Sequence, residues 1–231
     1  MSNTQTIPWR RISVEAAAIV ASILLAFAID AWWDGAQERA EEQEILSSLR
    51  AEFEANQKVL ARTAEIHRRI LGAMQDIVSA SETDISVHDE SLNSLFGQAG
   101  GTPHYNPATG ALAATISSGR IGLVRNIELR NRLAGWNSVV SDLIRDEQTR
   151  RDFVVHELRP ALAEFGIAGV FSATNGPEAD FSEALRSRQV LAHLRTEIAN
   201  VAHLLTHFDD AEAATQAMIF DLSEELGSLE I

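Results

Sequence analysis

From Ala16 to Ile29 the chain reads AAAIVASILLAFAI, fourteen residues whose only polar side chain is that of Ser22. Nothing else in the sequence limits the fold so strongly, because such a run must be covered by protein or by lipid. Alone it is short, since about twenty residues are needed to cross the hydrocarbon at about 1.5 Å per residue. Counting from Ile12 to Trp33 gives twenty-two residues, with Glu15 and Asp30 near the ends, where ionised groups reach the head groups. Trp9 flanks one side and Trp32 and Trp33 the other, as interfacial aromatics do. Arg10 and Arg11 precede the run, so the positive-inside bias keeps residues 1–11 in the cytoplasm and exports residues 34–231.

Two other readings compete. Ala26-Phe27-Ala28 matches the small-x-small pattern of a signal-peptide cleavage site. Cleavage needs an extended segment, however, and nothing interrupts the helical pattern before Gly35. The Arg pair also suggests a twin-arginine signal, but Ile12-Ser13-Val14 continues it poorly. A buried soluble helix explains the apolarity and not the flanks. The expectation is an uncleaved transmembrane anchor over residues 12–33, in the inner (cytoplasmic) membrane of a bacterium, with the bulk of the chain in the periplasm. Ala18, Ser22, Ala26 and Asp30 recur at i+4, a stripe of small residues ending in a carboxylate. Such stripes let helices approach closely in lipid, so this is the expected membrane-helix contact face. An Ala-rich span also produces the spacing by composition alone.

Beyond the anchor, three long stripes have helical period. The first, over residues 46–78, carries Leu46, Leu49, Phe53, Leu60, Ile70, Met74 and Ile77, with Asn56, Thr63 and His67 on the same seam. The second opens after Asn126, a good N-cap, with Leu129, Leu133, Trp136, Val140 and Leu143, and Pro160 should kink or end it at about Arg159. The third carries Leu191, Leu194, Ile198, Val201, Leu205, Phe208, Thr215, Ile219, Leu222 and Leu226, behind a capping box at Asp180–Glu183. Between the first two, residues 91–119 hold no charged side chain. There GQAGGTPHYNP reads as a loop, and Asn106-Pro107 should open a short helix that Gly119 closes. Residues 166–180 read as a second loop. No alternation requires a sheet. The fold expected is all-α: one N-terminal transmembrane helix continuous with an elongated antiparallel bundle of three long helices, plus short helical insertions, the bundle domain occupying residues 34–231.

Charge and composition narrow the function. The net charge is −14, and residues 1–33 are neutral, Arg10 and Arg11 balancing Glu15 and Asp30. The acidic excess therefore belongs to the exported part, which repels phosphate backbones and excludes nucleic acid as a natural partner. The absence of Cys removes disulfides, thiolate metal sites and Cys nucleophiles.

The densest local pattern is ISSGRIGLVRNIELRNRLAGW, Ile116 to Trp136. Gly119 supplies a left-handed C′ residue, Ile121 and Leu123 can plug a core, and Asn126 caps the next helix. Its helix–turn–helix spacing meets an acidic, exported chain, which argues against DNA reading. Arg120, Arg125 and Arg130 are a candidate anion or partner site; the competing reading pairs them with acidic residues of the other long helices. His203 and His207, at i and i+4 near Asp209 and Asp210, are weak metal candidates that need a third ligand from another helix. The chain has no H-E-x-x-H and no E-x-x-H, so no metal or other cofactor is expected. His67 reads as a satisfied core histidine. Ser117 and Ser118 lack the strand and flanking Gly of a hydrolase elbow and read as turn residues.

SVEAAAIVASILLAFAIDAWWDGAQERAEEQEILSSLRAEFEANQKVL, followed by ISSGRIGLVRNIELRNRLAGW, resembles a family of uncharacterised bacterial proteins, helical and anchored by an N-terminal span. The shared features are a span ending near Trp (Trp32, Trp33), an acidic residue at its start (Glu15), and a Leu–Glu–Asn pattern beyond it (Leu49, Glu52, Asn56). The resemblance covers residues 12–60 and 111–136 and implies an uncleaved anchor, with no assigned activity. The expected function is binding without catalysis, as scaffold or interaction partner of another envelope or membrane protein, or self-association through the anchor. The alternative is a ligand-sensing periplasmic bundle that signals through a partner membrane protein.

Overall fold

The computed structural model describes residues 9–82, 89–167 and 179–229. Every regular element among them is helical: α1 (Trp9–Glu82), α2 (Asp89–Ala99), α3 (Gly110–Ser117), a 3-10 turn (Arg120–Leu123), α4 (Ile127–Phe153), a π turn (Val154–Leu158), α5 (Arg159–Ala163), α6 (Phe181–Ala184) and α7 (Arg188–Leu229). The side chains of Trp9, Arg10 and Arg11 lie outside the described part, as do residues 168–178 of the expected second loop.

Helix α1 is 74 residues long, or roughly 110 Å at ~1.5 Å per residue. It has two regimes. Residues 17–34 are exposed throughout, and the apolar window within them has no buried residue; Phe27 is 66% exposed. Burial begins at Glu42 and then recurs at Leu46, Leu49, Phe53, Asn56, Leu60, Thr63, His67, Ile70, Met74 and Ile77. That alternation of four- and three-residue steps keeps one seam facing its partners for ten turns. In α4 the same steps run through Leu129, Leu133, Trp136, Val140, Leu143, Glu147 and Arg150. In α7 Leu194, Val201, Phe208, Thr215, Leu222 and Leu226 are buried as expected, and the positions between them are shifted by one residue. Val190, Glu197, Leu204 and Met218 are buried there, whereas Leu191, Ile198, Leu205 and Ile219 are only half-buried. Glu197 takes the seam position next to Ile198, while Val190, Leu204 and Met218 fill the other shifted positions.

The three long helices do not alternate in direction. Phe53 meets Trp136 at 4.8 Å between ring centroids, and His67 meets Glu147 at 3.2 Å, so α1 and α4 run parallel. Helix α7 opposes both: Arg68 pairs with Asp209 and Glu82 with Arg195 on one side, Arg132 with Asp221 and Arg150 with Glu197 on the other. The missing descending leg is the uncharged segment. A Cβ on Gly101 would come within 3.2 Å of Ile70, Ala108 is held by Asn56, Ala111 by Glu52, and Arg125 by Glu42. The chain thus descends α1 by nearly its whole buried length before α4 begins, and the expected antiparallel trio becomes an up, down, up, down arrangement. Two successive long helices run parallel only when a long connection returns between them.

Several local expectations shift. The first loop starts at Gly100, since Gly97 to Ala99 finish α2. Helix α3 opens at Gly110 behind Thr109, not at Asn106-Pro107. Gly119 does end it, at φ 74°, and Asn126 caps α4 by accepting from the Glu128 and Leu129 amides at 3.1 Å. Pro160 does not stop the second long helix at Arg159. The backbone widens into the π turn at Val154–Leu158 and continues through α5 to Ala163, which absorbs the proline's missing N–H. Asp180 caps α6 by accepting from Glu183 N at 2.9 Å, but α6 is a single turn, and the Ser187 hydroxyl accepts from Val190 N at the start of α7.

Buried side chains divide into two apolar clusters. The one nearer the exposed apolar run contains Phe53, Leu60, Leu112, Trp136 and Phe208, with Ile121 and Leu123 packed against it. The far one contains Met74, Phe96, Leu158, Phe181 and Leu194. Between them lies a polar layer.

Candidate functional sites

The polar layer is built from His67 of α1, Glu147 and Arg150 of α4, and Glu197 of α7, each buried and each in phase with its helix's apolar seam. Arg150 Nε lies 2.7 Å from Glu197 Oε1. Glu147 accepts from the Tyr105 backbone N–H at 2.8 and 3.0 Å and stands 3.2 Å from His67 Nε2. Burial pushes the Glu197 carboxyl up to about 7, against the pull of Arg150 and Asn200. It lowers Arg150 too, opposed mainly by Glu197 and Glu147. Burial also lowers His67, opposed by its bond to Glu147. Burial and the Glu147 charge push the Tyr105 phenol up to about 12. Each ion is expensive to desolvate, and mutual pairing offsets that cost.

The same layer begins a series of clamps on the uncharged descending segment. Arg159 and Arg150 donate to the carbonyls of Gly100 and Gly101 at 3.0 and 2.9 Å. Asn56 donates to Ala108 O and accepts from Ala108 N, both at 2.7 Å. Glu52 receives the first amides of α3, Ala111 N at 2.6 Å and Leu112 N at 3.1 Å, and so caps a helix some sixty residues away. Just beyond the uncharged segment, Glu42, fully buried, accepts from Arg125 N at 2.7 Å. A segment with no charges of its own is thus held by charged side chains of α1, α4 and α5, through backbone groups that would otherwise lose water without compensation. Glu52 and Asn56 belong to the Leu–Glu–Asn pattern, and their work is to hold the return strand of chain.

The sequence candidates fall into separate places. Arg120 lies 3.9 Å from both Glu41 and Glu44, Arg125 lies 3.4 Å from Glu42, and Arg130 donates to Gly122 O at 3.4 Å. The first two thus face acids of α1, and the third braces its own turn. Ala18, Ser22, Ala26 and Asp30 are all exposed, and the Ser22 hydroxyl donates to Ala18 O at 2.8 Å within the helix. Ser117 and Ser118 donate to carbonyls three residues back, as turn residues do. His203 and His207 lie against Asp146 of α4, not against Asp209, which pairs with Arg68. A cavity of about 460 Å³ opens between α1 and the start of the descending segment, lined by Ile66, Ile70, Gly101 and Pro103 with Arg69 at its side.

Glu42, Glu147, Arg150 and Glu197 were not foreseen as buried. The signal was present for all four, because they continue the four-three spacing of their seams; their charge argued against reading it. No protein-family model, no curated protein and no solved structure matches the chain. Fold and sites together define an all-helical protein with one long apolar N-terminal helix.

Proposed function

We propose that this is a single-pass, N-terminus-in membrane protein of the bacterial envelope. Its helical bundle binds another envelope or membrane protein in the periplasm and carries out no catalysis. One observation carries the reading: the exposed apolar run and the buried seam belong to the same unbroken helix. From Trp33 to Glu42 is about nine residues, or ~13 Å of helix, so the bundle stands close to the membrane on a stiff stem. An unbroken helix across Ala26–Asp34 offers a signal peptidase no extended segment, which favours the anchor over the cleaved signal. The clamped descending segment favours a preorganised binding surface, which loses little conformational freedom on docking.

The test is made on the full chain in membranes. A periplasm-dependent reporter joined after Ile231 should be active, and the purified chain should retain residues before Ile29. Cross-linking and pull-down after detergent extraction should recover one stoichiometric protein partner. A chain beginning near Ile29 overturns the anchor; an inactive reporter overturns the orientation. The cavity beside Arg69 supports the second reading, a ligand-sensing bundle, which a bound small molecule in place of a protein would select.

A further inference from the structure

We propose that Asp146, His203 and His207 form a binding site for one divalent transition-metal ion of the Zn²⁺ type, joining α4 to α7. The reasoning starts from helix geometry. Residues four apart share a face, so the two imidazoles of α7 stand side by side with ring centroids 4.7 Å apart. Asp146 reaches them from α4. Its Oδ2 lies 2.9 Å from His207 Nδ1 and 3.8 Å from His203 Nε2, and one ligand atom from each of the three residues falls within 4.8 Å of the others. This supplies the third ligand that the i, i+4 pair lacks in the sequence.

Asp146 Oδ2 and His207 Nδ1 stand at ion-pair distance, 2.9 Å. Asp146 Oδ2 and His207 Nδ1 are both shielded from solvent, and neither has an aligned hydrogen-bond partner among the described residues. With the imidazole neutral and its proton on Nε2, Asp146 Oδ2 and His207 Nδ1 both present lone pairs, and a cation placed between them satisfies the two together. With bonds of roughly 2.0–2.1 Å, ligand atoms around a tetrahedral ion stand about 3.3 Å apart. The two shorter separations bracket that value. His203, whose side chain is 68% exposed, is free to turn inward and close the third.

The donor set selects the ion. Two imidazoles and one carboxylate suit first-row transition metals and disfavour Mg²⁺ and Ca²⁺, which take oxygen ligands. Neighbouring acids are engaged elsewhere, Asp142 with Arg145 at 2.9 Å and Asp209 with Arg68 at 3.0 Å. Asp146 has the two imidazoles as its ion-pair partners among the described residues. The acidic chain, at net −14, raises the local cation concentration. Three protein ligands leave a fourth position open to water or to a group of a bound partner.

The experiment titrates Zn²⁺ into metal-stripped, untagged full-length protein in detergent, followed by calorimetry and by thermal unfolding. Saturation at one Zn²⁺ per chain is expected, with a rise in Tm. Asp146→Asn and His207→Ala should each weaken binding at least about tenfold and abolish the Tm rise. His203→Ala, at the most exposed of the three, tests the site with least risk to the fold. His104→Ala and His193→Ala should leave the affinity unchanged. Absence of saturable binding overturns the proposal, as does binding that survives loss of His203 and Asp146 together.

Discussion

Arg150 and Glu197 face each other across the α4–α7 interface at 2.7 Å, and neither side chain is more than 2% exposed. Each occupies a position where its helix otherwise places apolar residues, between the two apolar clusters. Arg150 also donates to Gly101 O, so one guanidinium joins α4, α7 and the descending segment. Removing one partner strands the other without water. Arg150→Met should therefore destabilise by about 3–5 kcal/mol, while the double change Arg150→Met with Glu197→Leu should recover much of the loss. Chemical denaturation of the two variants checks this; equal losses would show that the pair is not energetically coupled.

The polar layer also predicts two opposed pH slopes. Burial holds the folded Glu197 carboxyl up at about 7, above its ordinary 4.5, so the stability tied to its proton is full below 4.5 and is lost as pH rises through about 7. Burial holds His67 below 6.5, so its contribution is full above 6.5 and is lost as pH falls through the lowered value. Glu197→Gln removes the first slope and keeps the histidine's. Between the ordinary 4.5 and about 7, urea unfolding of that variant should show stability that falls less, or rises more, with pH than in the parent protein.

Glu52 should govern the order of α3. Glu52→Ala uncaps the Ala111 and Leu112 amides, which lie 2.6 and 3.1 Å from its carboxylate. The cost expected is about 1–2 kcal/mol, with faster amide hydrogen exchange at those two residues than at Leu133 in α4. Unchanged exchange at Ala111 and Leu112 would mean that Thr109 or water holds the helix start instead.

Phe53 and Phe208 are 1% and 0% exposed in the cluster nearer the anchor. Phe53→Asp or Phe208→Asp places an unpaired carboxylate there and should destabilise by several kcal/mol. The change is read from the melting transition of the full chain. Val139→Asp, at a 48% exposed position of α4, is the control and should shift the melt little.

On the proposed membrane face, Ala26→Leu should lower cross-linked oligomer or partner recovery, because a bulky residue holds helices apart in lipid. Leu24→Ala, off that stripe, should not. Single engineered Cys residues make the comparison possible in a Cys-free chain, provided both variants insert equally. Equal recovery from the two would leave the helix as a tether.

The seams of α1 and α4, the αL turn at Gly119 and the cap at Asn126 are properties of neighbouring residues, and the sequence by itself determined them. A four-three spacing selects a helix face whatever lies opposite, and a Cβ-free residue permits φ 74° regardless of the rest of the chain. Tertiary structure alone decided where Glu42, Glu52, Asn56 and Glu147 find their partners, which lie 42 to 83 residues away. It also decided that α4 runs parallel to α1, that α7 turns Glu197 inward in place of Ile198, and that Asp146 meets His203 and His207. The physical reason is common to all of these. A carboxylate in water is satisfied anywhere, so its sequence neighbours carry no information about its partner. Only when packing removes the water does the nearest N–H, guanidinium or imidazole become obligatory, and which group that is depends on the path of the whole chain.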